Sequence, residues 1–421
     1  MSALNTLAGR LHHAKPEDLP GIAEDAAISL GATATTLYLV DYSQVDLLAQ
    51  VPANRPAPDP IPIDGTVAGR AYSTGVPTRI ADLQTGGDQL WLPVVDGAER
   101  VGVFAVTLSA AAAADPAVQA NLQTLTTLLG QILAARHGYG DALERTRRRL
   151  PMQLAAEIIW TQLPPLTFAT DRATVAAILE PAYDVGGDAF DYAANGDTLH
   201  VALFDAVGHG IEASSLTALA LSAYRNARRC GLDLSDTYRS IDKWVNAQHP
   251  GSFVTAVLAE LDTPNGTYRK ISAGHPGELL LRNGRCIAEL PAPTAMPLGL
   301  GNLVDPIPGI TEITLEPGDQ LLLYTDGVVE ARTDAGDLFG VERLTDFVTK
   351  ALADQLPAAE TMRRLVHAIL AHQHERLQDD ATAVLVEWNG APVPAATDAP
   401  PPSLISNRSL PAPDALTVPS H

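Results

Sequence analysis

The chain opens with two hydrophobic rhythms in succession. In Gly21-Ile-Ala-Glu-Asp-Ala-Ala-Ile-Ser-Leu30 the apolar positions recur at helical spacing, whereas Thr35-Thr-Leu-Tyr-Leu-Val40 is a β-branched, apolar run that reads as a strand. Asp46-Leu-Leu-Ala-Gln-Val51 reads as its antiparallel partner, and the stretch from Asp64 to Gly75 as a short capped helix ending at glycine. Residues 89–95 and 100–108, on either side of a turn at Gly97, predict a hairpin, and residues 115–136 a long helix. Residues 21–137 therefore read as one α/β domain, preceded by a short lead-in over 1–20.

Residues 138–165 predict a helical connector. Ala142-Leu-Glu-Arg-Thr-Arg-Arg-Arg-Leu150 is highly charged, the segment from Leu154 to Leu163 is amphipathic, and Pro164-Pro165 stops it. Leu143, Leu150, Leu154, Ile158 and Leu163 could form an apolar stripe, which predicts a homodimer through this segment. Residues 166–389 change pattern again. Strands are expected at 173–179, 189–192, 199–204, 253–258, 266–272, 277–282, 309–315, 320–325 and 382–387, and helices at 211–229, 234–248, 341–354 and 358–377. Many antiparallel strands followed by helical pairs predict an α+β sandwich. Residues 390–421 are rich in Pro, Ala and Ser and predict a disordered tail.

Charge narrows the possibilities. The chain carries 28 basic and 49 acidic residues, a net charge of −21, which disfavours nucleic acid as a partner. The short basic cluster of Arg145 and Arg147-Arg-Arg149 reads as a solvated helix face. No apolar run reaches the roughly 18 residues of a membrane span, and the N-terminus lacks a signal-peptide pattern, so a cytoplasmic protein without membrane contact is expected. Cys230 and Cys286 show no metal-ligand spacing and read as packing residues.

Candidate chemistry lies in four stretches of the second region. Each delivers an aspartate from a strand end or tight turn: Gly186-Gly-Asp-Ala-Phe-Asp191, Asp205-Ala-Val-Gly-His-Gly210, Leu321-Leu-Leu-Tyr-Thr-Asp-Gly327 and Asp379-Asp-Ala-Thr-Ala-Val-Leu-Val386. Clustered carboxylates repel one another unless cations sit between them, and oxygen ligands suit Mg²⁺ and Mn²⁺. Two such ions can clamp a phosphate and activate water.

The four stretches in this order, with Ser272-Ala-Gly-His-Pro-Gly277 and Met296-Pro-Leu-Gly299 between the second and third, resemble the metal-dependent serine/threonine phosphatases of the PPM (protein phosphatase 2C) superfamily, most closely its bacterial SpoIIE-type branch. Leu163-Pro-Pro-Leu-Thr-Phe168 resembles that branch's entry segment. The resemblance implies a PPM-type αββα sandwich and two divalent cations, Mn²⁺ or Mg²⁺. It implies Asp205 as the bridging ligand and the Ala206 carbonyl, Asp188, Asp326 and Asp379 as further ligands, with Asp205 and Asp188 catalytic. Asp191 and Asp380 are implied as acids of the second shell. It also implies a phosphorylated anti-sigma factor antagonist of the STAS type as substrate, in a partner-switching stress or developmental pathway. The family often has glycine where Ala206 stands, and eukaryotic relatives have histidine where Val207 stands; His209 and His275 read as structural. Residues 21–137, including Ile63-Asp-Gly-Thr-Val-Ala-Gly-Arg-Ala-Tyr-Ser-Thr-Gly-Val-Pro77, resemble a GAF domain, which implies a sensor that regulates the enzyme and can bind a small molecule. Two other readings compete: an inactive phosphatase-fold scaffold, against which the intact acids speak, and a metal-dependent phosphodiesterase or nuclease, against which the net charge speaks.

Overall fold

The structure is a computed structural model that describes residues 9–11, 13–52, 55–82, 87–291, 295–303, 309–333, 336–373, 379–390 and 405–406. In the N-terminal region, helix α1 (Leu19–Ser29) leads into strands β1 (Ala32–Val40), β2 (Asp46–Gln50) and β3 (Ile61–Pro62), then α2 (Val67–Thr74). Strands β4 (Thr78–Asp82), β5 (Gly87–Asp96) and β6 (Glu99–Ser109) follow, and then α3 (Ala110–Ala114) and α4 (Pro116–Arg136). These strands and β18 (Ile405–Ser406) form one sheet in the order β18-β4-β5-β6-β1-β2-β3. Helices α1 and α4 cover one face through Leu19, Ile22, Leu122, Leu125 and Leu129, and α2 covers the other through Ala68, Ala71 and Tyr72. The expected capped helix is present: the Thr66 hydroxyl accepts the Gly69 N–H, and Gly75 closes the helix at φ 66°. Leu11, Ala14 and Leu19 are buried in this core, so the described part of the lead-in belongs to the domain.

The connector is not one continuous helix. It contains α5 (Ala142–Arg147) and α6 (Leu154–Trp160), and Pro151 lies between them. The expected stripe is divided accordingly. Leu143 is buried in the N-terminal core and Leu163 packs against the C-terminal core, which leaves Leu150 and Leu154 exposed.

The C-terminal region comprises β7 (Thr167–Ala169), β8 (Ala173–Glu180), β9 (Asp188–Asn195), β10 (Thr198–Ala206), α7 (Gly210–Arg229), α8 (Leu234–Gln248), β11 (Val254–Asp262) and β12 (Thr267–Ala273). It continues with β13 (Glu278–Arg282), β14 (Arg285–Leu290), β15 (Thr311–Thr314), β16 (Asp319–Tyr324), α9 (Asp326–Val329), α10 (Gly340–Ala353), α11 (Ala358–His372) and β17 (Ala381–Trp388). Two sheets result, β15-β12-β11-β10-β9 and β14-β13-β16-β17-β8-β7. Val201, Leu203, Phe190, Val175, Leu321 and Val384 fill the space between them. Helices α7 and α8 cover the first sheet and α10 and α11 the second, which gives four layers. Truncating one such inter-sheet leucine to alanine costs about 2–5 kcal/mol.

Strands β7 and β14 were not expected. They are sheet-edge strands, and β14 exposes most of its residues, so its sequence lacks a clear apolar alternation. Most of the expected tail lies outside the described residues, as does the expected end of α11 at 374–377. Ile405–Ser406 form β18, a two-residue parallel partner of β4. Among the described residues no helix is long and apolar enough to cross a membrane.

Candidate metal centre

The site is built where the two sheets present their strand ends to each other. In the β9–β10 ladder Asp188 lies opposite Asp205. Side chains alternate along a strand, so Asp205 shares the face of Leu203 and Val201, and Asp188 that of Phe190 and Tyr192. All four of those apolar neighbours lie in the inter-sheet core, so both aspartates point into the edge of the gap between the sheets. From the opposite sheet, Asp326 opens α9 just after β16, and Asp379-Asp380 immediately precede β17.

Thr325 joins the two halves. Its hydroxyl donates to Asp188 Oδ2 at 2.7 Å and accepts the Thr382 N–H at 3.0 Å. Its own N–H donates to the Thr382 carbonyl at 2.9 Å. Asp380 performs a second join, because its Oδ2 accepts N–H groups from Gly186 at 2.8 Å, Gly187 at 2.6 Å and Asp188 at 3.3 Å. Asp380 thus fixes the loop that aims Asp188. The glycines are there because the backbones come too close for side chains. A Cβ on Gly187 would lie 2.7 Å from the Ala206 carbonyl oxygen, and one on Gly186 2.6 Å from the Gly210 nitrogen. One on Gly327 would overlap the Asp380 carbonyl oxygen.

The electrostatics are those of crowded acids. Burial, followed by the charges of Asp205 and Asp380, raises the Asp188 carboxyl well above the usual carboxylate range. Burial, then Asp326 and Asp379, pushes Asp205 up to about 7, against a weak 3.4 Å hydrogen bond from the Thr255 hydroxyl. Burial and then Asp379 and Glu330 raise Asp326. Burial raises Asp380 in spite of its three amide donors. Among the described residues, the largest influences on these four acids are burial, other carboxylates and hydrogen bonds rather than a lysine or arginine. Carboxylates and a backbone carbonyl are a hard oxygen donor set, which fits Mg²⁺ or Mn²⁺ in chemistry. Among the described residues, however, no three acid, His or Cys side chains are already gathered as an ion-binding group.

The acids implied as ligands therefore come to one edge of the sandwich, but Asp191 does not join them. It lies on the other face of β9, three residues from Asp188, where it is buried against α7. Arg225 pairs with it at 2.7 Å and Arg228 at 2.9 Å, and Arg225 also donates to the Gln162 carbonyl at 2.6 Å. Asp191 ties β9 to α7, whose Arg225 also reaches the connector, so it does not stand behind the other acids as expected. Ala206 is buried, with its N–H on the Gly187 carbonyl at 3.1 Å. His209 is exposed at the N-cap of α7 and makes no capping bond. His275 is buried, and burial lowers it to about 4, so it is neutral near pH 7. Sequence reading missed Thr325 and Thr382, although both stand inside quoted motifs, because a threonine in a strand reads first as β-propensity.

Residues 195–389 match the family model described as Stage II sporulation protein E (SpoIIE). The phosphoserine phosphatase RsbU of Bacillus subtilis is 24% identical over 237 residues, which cover 56% of this chain and 69% of that protein. Protein IcfG of Synechocystis sp. is 23% identical over 279 residues, 59% of this chain and 42% of that protein. The crystal structure of the RsbU and RsbW domains of Rv1364c from Mycobacterium tuberculosis is 26% identical, with a TM-score of 0.46, over 53% of this chain and 63% of that chain. The chain thus spans less than two thirds of IcfG and of the mycobacterial structure. The C-terminal half is thus similar to the SpoIIE family model and to the RsbU phosphatase.

Proposed function

We propose that the C-terminal domain is a divalent-metal-dependent phosphatase acting on phosphoserine or phosphothreonine in a protein partner. The observation that carries this reading is the convergence of Asp188 and Asp205 from one sheet with Asp326 and Asp379 from the other. Asp205, Asp188, the Ala206 carbonyl, Asp326 and Asp379 would supply the oxygen ligands that hold two ions. When bound, the ions would neutralise phosphate charge and make a water acidic enough to attack phosphorus near neutral pH. The protein's own part is positional. Thr325 holds the Asp188 carboxylate, Asp380 holds the Gly186–Asp188 backbone, and the glycines let the two sheet edges close up.

The similarity to RsbU supports an anti-sigma factor antagonist carrying a phosphoserine as the substrate. The N-terminal domain, with its antiparallel sheet between helical layers, suits a GAF-like sensor that regulates this activity. It grips the catalytic domain directly. Arg363 of α11 donates to Asp64 at 2.5 Å and to the Gln44 carbonyl at 3.3 Å, while Arg100 of β6 donates to Glu360 at 3.0 Å. The expected homodimer would have to use exposed Leu150 and Leu154 without the rest of the stripe. The test is Mn²⁺-dependent phosphate release from p-nitrophenyl phosphate. Wild type should be active and Asp205→Asn reduced at least about 100-fold, a loss of roughly 2.7 kcal/mol of transition-state stabilisation. Equal rates in the two proteins would reject the reading.

A further inference from the structure

A cavity of about 280 Å³ lies where the two domains and the connector meet, and the proposed hydrolysis makes no use of it. Its apolar walls come from separate elements: Leu39 of β1, Leu133 of α4, Leu143 of α5, Trp160 of α6, and Leu163 and Leu166 at the entry to the catalytic domain. Leu39, Leu133 and Leu143 are core residues, so that wall is rigid.

Two charged groups in this lining retain hydrogen-bonding capacity. Glu99 accepts the Thr167 N–H at 2.7 Å, a bond that crosses from the first domain to the second. A carboxylate has further lone pairs to offer. Burial raises Glu99 above the usual carboxylate range, while the nearby charge of Arg147 opposes that rise. Arg147 donates from Nε to the Val40 carbonyl at 3.1 Å, and its guanidinium stands 4.6 Å from the Tyr42 ring centroid. Among the described residues its other N–H groups have no hydrogen-bond partner, and no carboxylate lies within 4.0 Å of it. The other polar groups of the lining are committed. Arg100 pairs with Glu360, His137 with Glu144, and the Trp160 indole N–H with the Ala182 carbonyl.

We propose that this junction cavity binds a small, neutral, flat heterocycle whose edge carries adjacent N–H and C=O groups, as in a lactam. The carbonyl would accept from Arg147 and the N–H would donate to Glu99, while the ring lies among Leu39, Leu133 and Trp160. Opposite charges on the two protein groups favour a neutral edge over an ion. The volume is just below the ~300–1,000 Å³ of usual small-molecule sites, which suits one or two fused rings and excludes a nucleotide. Such a ligand touches both domains and the connector at once. Its binding is therefore coupled to any rearrangement of that junction by the difference in its affinity for the two arrangements. None of the lining residues belongs to the proposed metal centre, so binding can be measured without metal or turnover.

The test uses the full chain, metal-free, with 2-quinolone as probe and calorimetry as readout. Saturable one-to-one binding is expected, with N-methyl-2-quinolone, which lacks the donor, at least about 10-fold weaker (~1.4 kcal/mol). Glu99→Gln should weaken 2-quinolone binding, and Leu163→Trp, which fills the cavity, should abolish it while circular dichroism stays native. The comparison of the two probes on wild type stands even if a variant fails to fold. No binding of 2-quinolone at millimolar concentration, equal affinity for the two probes, or binding unchanged in a folded Leu163→Trp would each overturn the proposal.

Discussion

At the scale of single residues, the site depends on groups that hold the acids more than on the acids alone. Thr325 is the clearest case. Thr325→Val keeps the shape but removes the donor to Asp188 and the acceptor for Thr382, leaving buried polar groups unpaired at about 1–3 kcal/mol each. Urea unfolding should show this loss, and Mn²⁺-dependent turnover should fall with it; an unchanged midpoint would show that the bond contributes nothing. His275 gives a pH signature. Its pKa in the fold is about 4 against an ordinary value of 6.5, so the fold favours the neutral ring. The unfolded chain binds the proton more readily in that window, so this contribution is complete above pH 6.5 and is lost as pH falls toward 4. His275→Asn should flatten the stability profile between those values, and an identical slope in the variant would contradict the assignment. The aspartates themselves were legible in the sequence because each is delivered by a strand end or tight turn, in three of the four stretches with glycine nearby. Asp191 was misread for the same reason: it sits in the same motif, and only the strand's alternation, with Arg225 and Arg228 behind the sheet, sends it the other way.

At the scale of elements, α11 joins the N-terminal domain to the acids. Its apolar face, Met362, Leu365, Val366 and Ile369, packs on strands β8 and β17 of the second sheet, and the chain after it arrives at Asp379-Asp380. Its other side carries Glu360 and Arg363, both nearly fully buried, in a cluster with Arg100 and Asp64. Burial alone would raise Glu360, but Arg363, with Arg364 and Arg100, holds it at about 2. Its contribution is present above the ordinary 4.5 and is lost as pH falls toward 2. Glu360→Gln should cost about 3–5 kcal/mol because it leaves Arg100 buried without its counter-charge and Arg363 with the exposed Asp64 alone. Replacing all three by apolar residues of similar volume should recover most of that in urea melts; no recovery would mean that the cluster contributes more than charge compensation. Helix periods and strand runs placed most elements within a few residues, and the break in the connector could be read from Pro151. The interdomain cluster could not, since Asp64, Arg100 and Glu360 are far apart in sequence and each reads alone as a surface charge.

At the scale of the whole molecule, the sandwich explains why a two-ion site can form at all. Each sheet contributes a pair of acids at one edge, and neither sheet holds the set by itself. This architecture was legible from the strand-then-helix order, whereas the docking of the two domains was not, because it rests on single contacts such as Glu99 with the Thr167 N–H. Calorimetric titration of the full chain with Mn²⁺ asks whether the converged acids hold two divalent cations. Wild type should take up about two ions per chain, and Asp205→Asn should lose that binding. Absence of Mn²⁺ binding at millimolar concentration, or the same isotherm in Asp205→Asn, would contradict a two-ion site.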